Sequence, residues 1–309
     1  MKVLFIGLGS IGTRHLKNLT AIARQRGIEL TVDALRSSRR ELPQETTALL
    51  TNEYFAKEDT AEFYDVVFVT NPTNEHFETI KAFSEKTGAF FLEKPIFEHD
   101  EYSLAQCGLE GKPAYVACPM RHSETFRQMK KAVEAQRVYS ARLICSSYLP
   151  GWRPNADYRT VYSAHKDMGG GVSIDLIHEW DYFIDLFGFP KESYNLQGRY
   201  SDLEIDSEDL SIYIARYENM LVELHLDYFG RTYRRTAELF TEEGTIIADF
   251  GARTLTLANG TLIDCAEDTN EWYIHEMNYF LDYVQGKCGN MNTPEHALKA
   301  MRLAQGKAL

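Results

Sequence analysis

The stretch Val3-Leu4-Phe5-Ile6-Gly7-Leu8-Gly9-Ser10-Ile11-Gly12 decides the fold of the first third of the chain. Val3–Ile6 is apolar on both faces, which reads as a buried parallel strand. Glycines follow it at once. Ile11–Arg26 then carries Leu16, Leu19 and Ile22 on one stripe and stops at Gly27, as a helix does. Strand, Gly-x-Gly-x-x-Gly and helix in that order predict a dinucleotide-binding βαβ unit. Gly7 permits the tight turn, Gly9 lets backbone approach a pyrophosphate, and Gly12 allows close helix–strand packing. The helix start, Ser10-Ile11-Gly12, offers free amides and a positive dipole end to the phosphates. A glycine turn without a ligand is the competing reading, and the flanking strand and striped helix weigh against it.

Outward from this unit, the apolar runs Thr31–Leu35, Val66–Val69, Phe90–Leu92 and Tyr115–Ala117 repeat the strand signal. Between two of them, Asn74–Lys86 sets Phe77, Ile80 and Phe83 at helical spacing. Alternation of this kind predicts right-handed crossovers and an α/β fold, a Rossmann-type doubly wound parallel sheet. At the end of the second strand an acidic residue reads the ribose of NAD, whereas an arginine accommodates the phosphate of NADP. Asp33 lies inside Thr31–Leu35, and Arg36-Ser37-Ser38-Arg39-Arg40 leaves it, so NADP is favoured, with Arg36 and Ser37 as its contacts. A shifted register that returns Asp33 to the ribose keeps NAD open, and a merely solvated arginine loop is the bland alternative.

The rhythm changes after residue 120. A helix at Glu124–Gln136, a strand at Tyr139–Tyr148, a polar aromatic loop and a helix at Val172–Phe187 lead into strand after strand: Leu210–Tyr217, Leu221–Asp227, Ala237–Thr241, Gly244–Asp249 and Thr254–Ala258. Glu242-Glu243-Gly244 and Asn259-Gly260 are hairpin turns, so this sheet is expected to be largely antiparallel. Helices at Trp272–Gln285 and Pro294–Gln305 close the chain. Two domains follow: residues 1–119 bind the dinucleotide, and 120–309 form an α+β domain with a large open sheet for substrate binding and oligomerisation. One sheet face, read as bearing Leu221, Leu224 and Tyr228, needs a cover, which points to a homodimer or a higher homo-oligomer.

Composition narrows the function. The 309 residues are 44% apolar and 25% charged, as in soluble globular proteins. No run approaches the roughly 18 to 20 apolar residues that cross a bilayer. The first apolar run is too short for a signal peptide, so a cytoplasmic setting is expected. The five cysteines are scattered without a Cys-x-x-Cys pair and read as reduced thiols. A net charge of 33 − 45 = −12 opposes nucleic acid and anionic membrane. No metal-binding His-x-x-x-His, Gly-x-Ser-x-Gly elbow or Walker-type lysine occurs, so no metal is expected.

Three further motifs stand in order: Thr70-Asn71-Pro72-Thr73-Asn74-Glu75-His76, Glu93-Lys94-Pro95, and Gly169-Gly170-Gly171-Val172-Ser173-Ile174-Asp175 before His178. With the glycine turn, the chain resembles the glucose–fructose oxidoreductase / inositol dehydrogenase / MocA (Gfo/Idh/MocA) family over essentially its whole length. The resemblance implies an NAD(P)-dependent oxidoreductase. Hydride would pass between nicotinamide and a hydroxyl or keto group of a sugar, sugar nucleotide or cyclitol. It assigns Lys94 to the reacting oxygen, and Asp175 and His178 to the rest of the acid–base set. Asn71, Pro72 and His76 would border the nicotinamide. Glu93 and Pro95 would shape the cofactor's edge, with the bond before Pro95 cis. The active site would lie in the cleft between the two domains.

The family spaces its pair Asp-x-x-x-His, whereas this chain has Asp175-Leu176-Ile177-His178. Three residues apart on one helix still share a face, about 100° from the usual place. This spacing and the segment Tyr158-Arg159-Thr160-Val161-Tyr162-Ser163-Ala164 resemble members associated with bacterial surface-sugar pathways. Arg121, Trp152, Arg153, Tyr158 and Tyr162 are the candidate substrate contacts, since polar aromatics joined to arginines suit a hydroxyl-rich ligand; loop packing is the alternative. The same residues have plain structural readings: Lys94 as a strand-end lysine, His178 as a core histidine, Asp175 as a helix cap. The glycine triplet reads as a flexible turn or as backbone that a ligand approaches. Arg231, Arg234 and Arg235 read as a solvated strand end or a diphosphate site. An NAD-dependent glycoside hydrolase or lyase with internal cofactor recycling remains a rival. So does a non-catalytic NAD(P) sensor, which the presence of Lys94 disfavours.

Overall fold

In the computed structural model, which describes residues 1–134 and 136–307, the apolar runs of the first third become parallel strands. The order is β1 (Lys2–Ile6), α1 (Ser10–Arg26), β2 (Thr31–Leu35), α2 (Gln44–Thr47), β3 (Asn52–Tyr54), β4 (Tyr64–Val69), α3 (His76–Phe83), β5 (Thr87–Leu92) and β6 (Ala114–Val116). They pair in the order β3-β2-β1-β4-β5-β6, with every pairing parallel. Phe5 stacks on Phe68 at 4.4 Å, and Phe68 on Phe91 at 5.2 Å, so one aromatic row crosses the three central strands. Each fully buried phenylalanine contributes about 1.5–3 kcal/mol. Sequence reading missed β3 because Asn52-Glu53-Tyr54, on the sheet edge, buries almost nothing. The expected helix 74–86 is regular only over His76–Phe83, with a 3₁₀ turn at each end.

The next elements are α4 (Glu124–Val133), β7 (Val138–Tyr148), α5 (Val172–Asp175), α6 (His178–Phe187), β8 (Glu192–Gly198), β9 (Leu210–Arg216), β10 (Leu221–Asp227), β11 (Phe229–Thr241), β12 (Gly244–Asp249), β13 (Thr254–Thr256) and β14 (Leu262–Asp264). Their sheet runs β14-β13-β12-β11-β7-β10-β9-β8 and is antiparallel except between β7 and β10. β11 begins well before the expected Ala237, and its register against β7 shifts between Phe229 and Arg234. The expected exposed face needs correction. Leu221 is 55% exposed, but Leu224 and Tyr228 are buried, because a strand reverses its side chains at every residue. The uncovered face instead carries Ile212, Ile214 and Leu221 beside Glu223 and His225. The helix read over Val172–Phe187 is also two helices, broken at Leu176 and Ile177.

Two helices end the chain, α7 (Thr269–Val284) and α8 (Pro294–Ala304). The chain divides into two units, Met1–Pro119 with Asn270–Leu298, and Met120–Thr269 with the residues from Lys299 onward. Residues 270–298 thus group with the first unit, whereas the sequence reading placed them in the domain 120–309. Met277, Phe280 and Leu281 form the buried stripe of α7, and they complete the core of Phe68, Phe91 and Tyr115. The stripe was legible; which sheet would bury it was not. Among the described residues no helix is long and apolar enough to cross a membrane.

Candidate active site

The first unit builds its site on the turn between β1 and α1. Gly7 has φ 86°, a left-handed conformation that favours glycine, and a Cβ there would lie 2.8 Å from the Asn71 Cα. A Cβ on Gly12 would strike the Gly7 carbonyl and lie 2.6 Å from Thr70 Oγ1. Gly9 differs. It has nothing within 4 Å of a Cβ, is exposed, and stands at the N-cap of α1 with no side chain capping the helix. The start of a long helix, with exposed Ser10 and part-exposed Ile11, is thus left open where backbone must approach a pyrophosphate. The residues fit a dinucleotide.

The ends of β4 and β5 are tied to this turn. Thr70 Oγ1 donates to the carbonyls of Gly7 at 2.6 Å and Ile6 at 3.1 Å. Asn71 Nδ2 donates to Glu75 at 3.0 Å and Thr79 at 2.9 Å, and Pro72 precedes the 3₁₀ turn Thr73–Glu75. The buried His76 ring sits between the carbonyls of Ile96 and Asn71, both at 3.1 Å, and burial pushes its pKa down. The Lys94–Pro95 bond is cis. Lys94 is part-exposed, and its amide donates to Glu93 Oε2 at 3.1 Å. Glu93 Oε1 meets His15 Nε2 of α1 at 2.5 Å. Burial raises the Glu93 carboxyl, but the His15 hydrogen bond and charge outweigh it, and the net shift is downward. His15 is a residue that sequence reasoning missed, because a histidine one turn into a helix carries no signal of what lies across from it.

Asp33 is not at the end of β2. It is fully buried, pairs in register with Leu4, and accepts hydrogen bonds from Asn52 Nδ2 at 2.8 Å and Tyr64 at 3.0 Å. The shifted register that would bring it to a ribose is therefore excluded. Arg36 is 7% exposed and engages Glu53 and the Arg40 carbonyl. Ser37, Arg39 and Arg40 are exposed, with the Arg39 guanidinium 4.3 Å from the Phe55 ring centre and Arg40 reaching the Leu8 carbonyl at 3.4 Å.

In the second unit, Asp175 ends α5 and His178 begins α6. Between them the amide of Ile177 bonds the Ile174 carbonyl at 3.3 Å and that of Glu179 the Leu176 carbonyl at 3.4 Å. These are i→i+3 bonds, the tighter turn that sets residues three apart over one another. The expected 100° offset on a continuous α-helix is replaced by this joint. Asp175 is buried and accepts from Tyr162 on one oxygen and from Tyr228 on the other, the latter at 2.5 Å. Burial first, then the neighbouring Asp175 charge, pushes both phenols well above their ordinary range. Tyr228 was misread as a sheet-face residue. His178 is half-buried.

The glycine triplet is filled by the unit's own atoms. A Cβ on Gly170 would lie 2.8 Å from the carbonyls of Ser163 and His165, and one on Gly171 would strike Glu208. Close approach does require these glycines, but to protein. Burial pushes the Glu208 carboxyl up while Ser173 Oγ donates to it at 2.5 Å. Trp152, Arg153 and Tyr158 line one small hollow with Leu149, Val161 and Ser163. Trp152 donates to Ser147 at 3.2 Å, and the Tyr158 hydroxyl accepts from the Glu204 amide at 3.2 Å. Arg121 is buried against α6, bonded to Asp181 at 2.6 and 3.0 Å and to Asp185 at 3.1 Å. Arg231 stacks on Tyr148 at 3.8 Å, Arg234 pairs with Glu238 at 3.1 Å, and Arg235 pairs with the fully buried Glu179 at 2.7 Å. Arg235 is thus not part of a solvated strand end.

Comparison with known proteins agrees with this geometry. Residues 1–107 match the model of an oxidoreductase family with an NAD-binding Rossmann fold. The uncharacterised oxidoreductase YrbE of Bacillus subtilis is 26% identical over 321 residues, covering 97% of this chain and 91% of its own. Myo-inositol 2-dehydrogenase of Thermotoga maritima is 26% identical over 270 residues, covering 81% and 75%. The structure of an oxidoreductase from Agrobacterium radiobacter in complex with NAD+, L-tartaric acid and magnesium shares the fold, with a TM-score of 0.82 at 16% identity over 99% of this chain and 95% of that one. Residues 1–107 thus match the Gfo/Idh/MocA model, an oxidoreductase family with an NAD-binding Rossmann fold, and the chain is similar over most of its length to the oxidoreductase and the dehydrogenase named above.

Proposed function

We propose that the protein is an NADP-dependent dehydrogenase or reductase acting on a secondary hydroxyl, or the matching ketone, of a sugar, sugar nucleotide or cyclitol. The observation that carries the proposal is the open side of the α1 start at Gly9, in the same unit as Lys94 and tied to it through His15 and Glu93. Nicotinamide, when bound, supplies the hydride acceptor or donor. The amides of Ser10, Ile11 and Gly12 hold the pyrophosphate. Ser37, Arg39 and Arg40 take the additional phosphate, while Arg36, engaged by Glu53, holds the loop that presents them. Asn71, Pro72 and His76 border the nicotinamide. Lys94 and His178 take the hydroxyl proton and return it in the reverse direction, and Asp175 orients the imidazole. Trp152, Arg153 and Tyr158 shape the substrate's surroundings. Arg121, bound by two aspartates, serves to hold α6.

The uncovered sheet face with Ile212, Ile214 and Leu221 supports assembly as a homodimer or a higher homo-oligomer. Five cysteine thiols, four of them buried, support a reducing cytoplasmic setting. The test is a screen of NADP+ and NAD+ against myo-inositol, glucose and UDP-N-acetylglucosamine, read as net formation of reduced coenzyme. Lys94→Ala is expected to abolish turnover while calorimetry still detects coenzyme binding. Native turnover by Lys94→Ala would refute the proton-transfer assignment. Absence of affinity for either coenzyme would refute the whole reading.

A further inference from the structure

We propose that Tyr162 and Tyr228 are positioning residues that clamp the Asp175 carboxylate from both sides, a proposal that rests on the acid–base reading of Asp175 above. A carboxylate's terminal torsion is soft and nearly two-fold, so one hydrogen bond leaves its other oxygen poorly placed. Here each oxygen has its own phenol donor: Tyr162 on Oδ1, and Tyr228 on Oδ2 at 2.5 Å. Hydrogen bonds to a charged acceptor are short and strong, and two on different oxygens fix the carboxylate plane.

Both donors are themselves held. Tyr228 is fully buried, its amide bonds the Asp209 carbonyl at 2.9 Å, and its carbonyl accepts from the Leu149 amide at 2.9 Å. The adjoining irregularity of β11 is fixed by Asp227, which accepts from the amides of Phe229 at 3.1 Å and Gly230 at 2.7 Å. Trp152 stands edge-on to the Tyr228 ring at 5.3 Å. Tyr162 opens the 3₁₀ turn Tyr162–Ala164, pinned where the Ser207 hydroxyl donates to the Ser163 carbonyl at 2.6 Å. The backbone of Asp175 is set separately, its amide bonding the Gly171 carbonyl at 3.0 Å. So much support for one acceptor, three residues before His178, is what orienting an imidazole requires.

The experiment is a double-mutant cycle assayed with NADP+ and whichever compound of the panel is turned over fastest. Misplacing a catalytic group by about 1 Å costs up to roughly 100-fold in rate. Tyr228→Phe is therefore expected to lower kcat about tenfold or more while KM changes less than about threefold, and Tyr162→Phe to do likewise. Asp175→Asn should lower kcat at least as far. Adding Tyr228→Phe to Asp175→Asn should cost nothing more, because the group being positioned is already changed. If Tyr228→Phe does not fold, Tyr162→Phe, on the half-buried loop, runs the same cycle. Equal losses with and without Asp175→Asn would overturn the clamp, and so would a native kcat in the tyrosine variants beside a slow Asp175→Asn. A native rate in Asp175→Asn would instead overturn the acid–base reading, and the clamp with it.

Discussion

Gly9→Ala and Gly12→Ala differ by one methyl on the same turn and are expected to fail in different ways. At Gly12 the added Cβ meets the Gly7 carbonyl and lies 2.6 Å from Thr70 Oγ1, which already donates to the Gly7 and Ile6 carbonyls. Neither neighbour is a flexible side-chain end, so α1 must move. Overpacking of this kind costs about 1–3 kcal/mol. For a unit of this size that lowers its melting temperature by roughly 2–12 °C. At Gly9 the backbone has φ −74° and ψ −164°, which alanine adopts freely, and the space beyond is empty. Stability should therefore stay within about 0.5 kcal/mol of native. The methyl would occupy the place where a phosphate approaches the helix amides. Losing one charge-assisted hydrogen bond, about 1.5–3 kcal/mol, weakens dinucleotide binding roughly 10- to 150-fold. Calorimetry of binding and of unfolding reads both quantities on each variant. Native affinity for NADP+ and NAD+ in Gly9→Ala, or a melting point several degrees low in that variant, would refute the division of labour.

Arg39→Ala and Arg40→Ala are expected to raise the KM for NADP+ by about tenfold each, the scale of one hydrogen bond to a charged group, with the KM for NAD+ unchanged; equal effects on both coenzymes would exclude a phosphate role. Phe280→Ala removes a fully buried ring 5.0 Å from Phe91 and 5.6 Å from Phe68, and should destabilise the first unit by about 3–5 kcal/mol in thermal or denaturant unfolding. A loss below about 1 kcal/mol would mean that α7 is not part of that core. Glu93, held below its ordinary value of 4.5 by His15 against the effect of burial, contributes stability that is complete above that value and lost as the pH falls through the lower folded value. Glu93→Gln should thus melt below native at pH 7, with the gap closing in acid; a gap that widens below about pH 4.5 would contradict the assignment. Ile214→Glu on the uncovered sheet face should yield monomers in sedimentation, whereas an unchanged oligomer, or a native monomer, would remove that face from assembly.

What could be read from one dimension and what could not divides along physical lines. Val3–Ile6, Thr31–Leu35 and the glycines after β1 were legible because burial on both faces and a tight turn restrict residue type locally. β3 and β8 were not, since Asn52–Tyr54 and Glu192–Gly198 are edge strands with little apolar character. Leu221 and Leu224 look alike in sequence, yet their odd spacing sends one out and one in. The continuous apolar run Val172–Phe187 concealed the joint at Leu176 and Ile177, because hydrophobic periodicity does not register a change from i→i+4 to i→i+3 bonding.

The sequence by itself determined the glycine turn after β1, the alternating first unit, the later antiparallel sheet and the lysine after β5, each through short-range constraints on which residues a strand end or a turn accepts. Only the tertiary structure decided that α7 completes the first core, that Asp33 is buried among Asn52 and Tyr64, and that His15 meets Glu93. It alone paired Asp175 with Tyr162 and Tyr228, 13 and 53 residues away. Such pairings join residues far apart in the chain through donors and acceptors that many other side chains also offer, so no local pattern encodes them. They exist only once the strands that carry them have been packed into place.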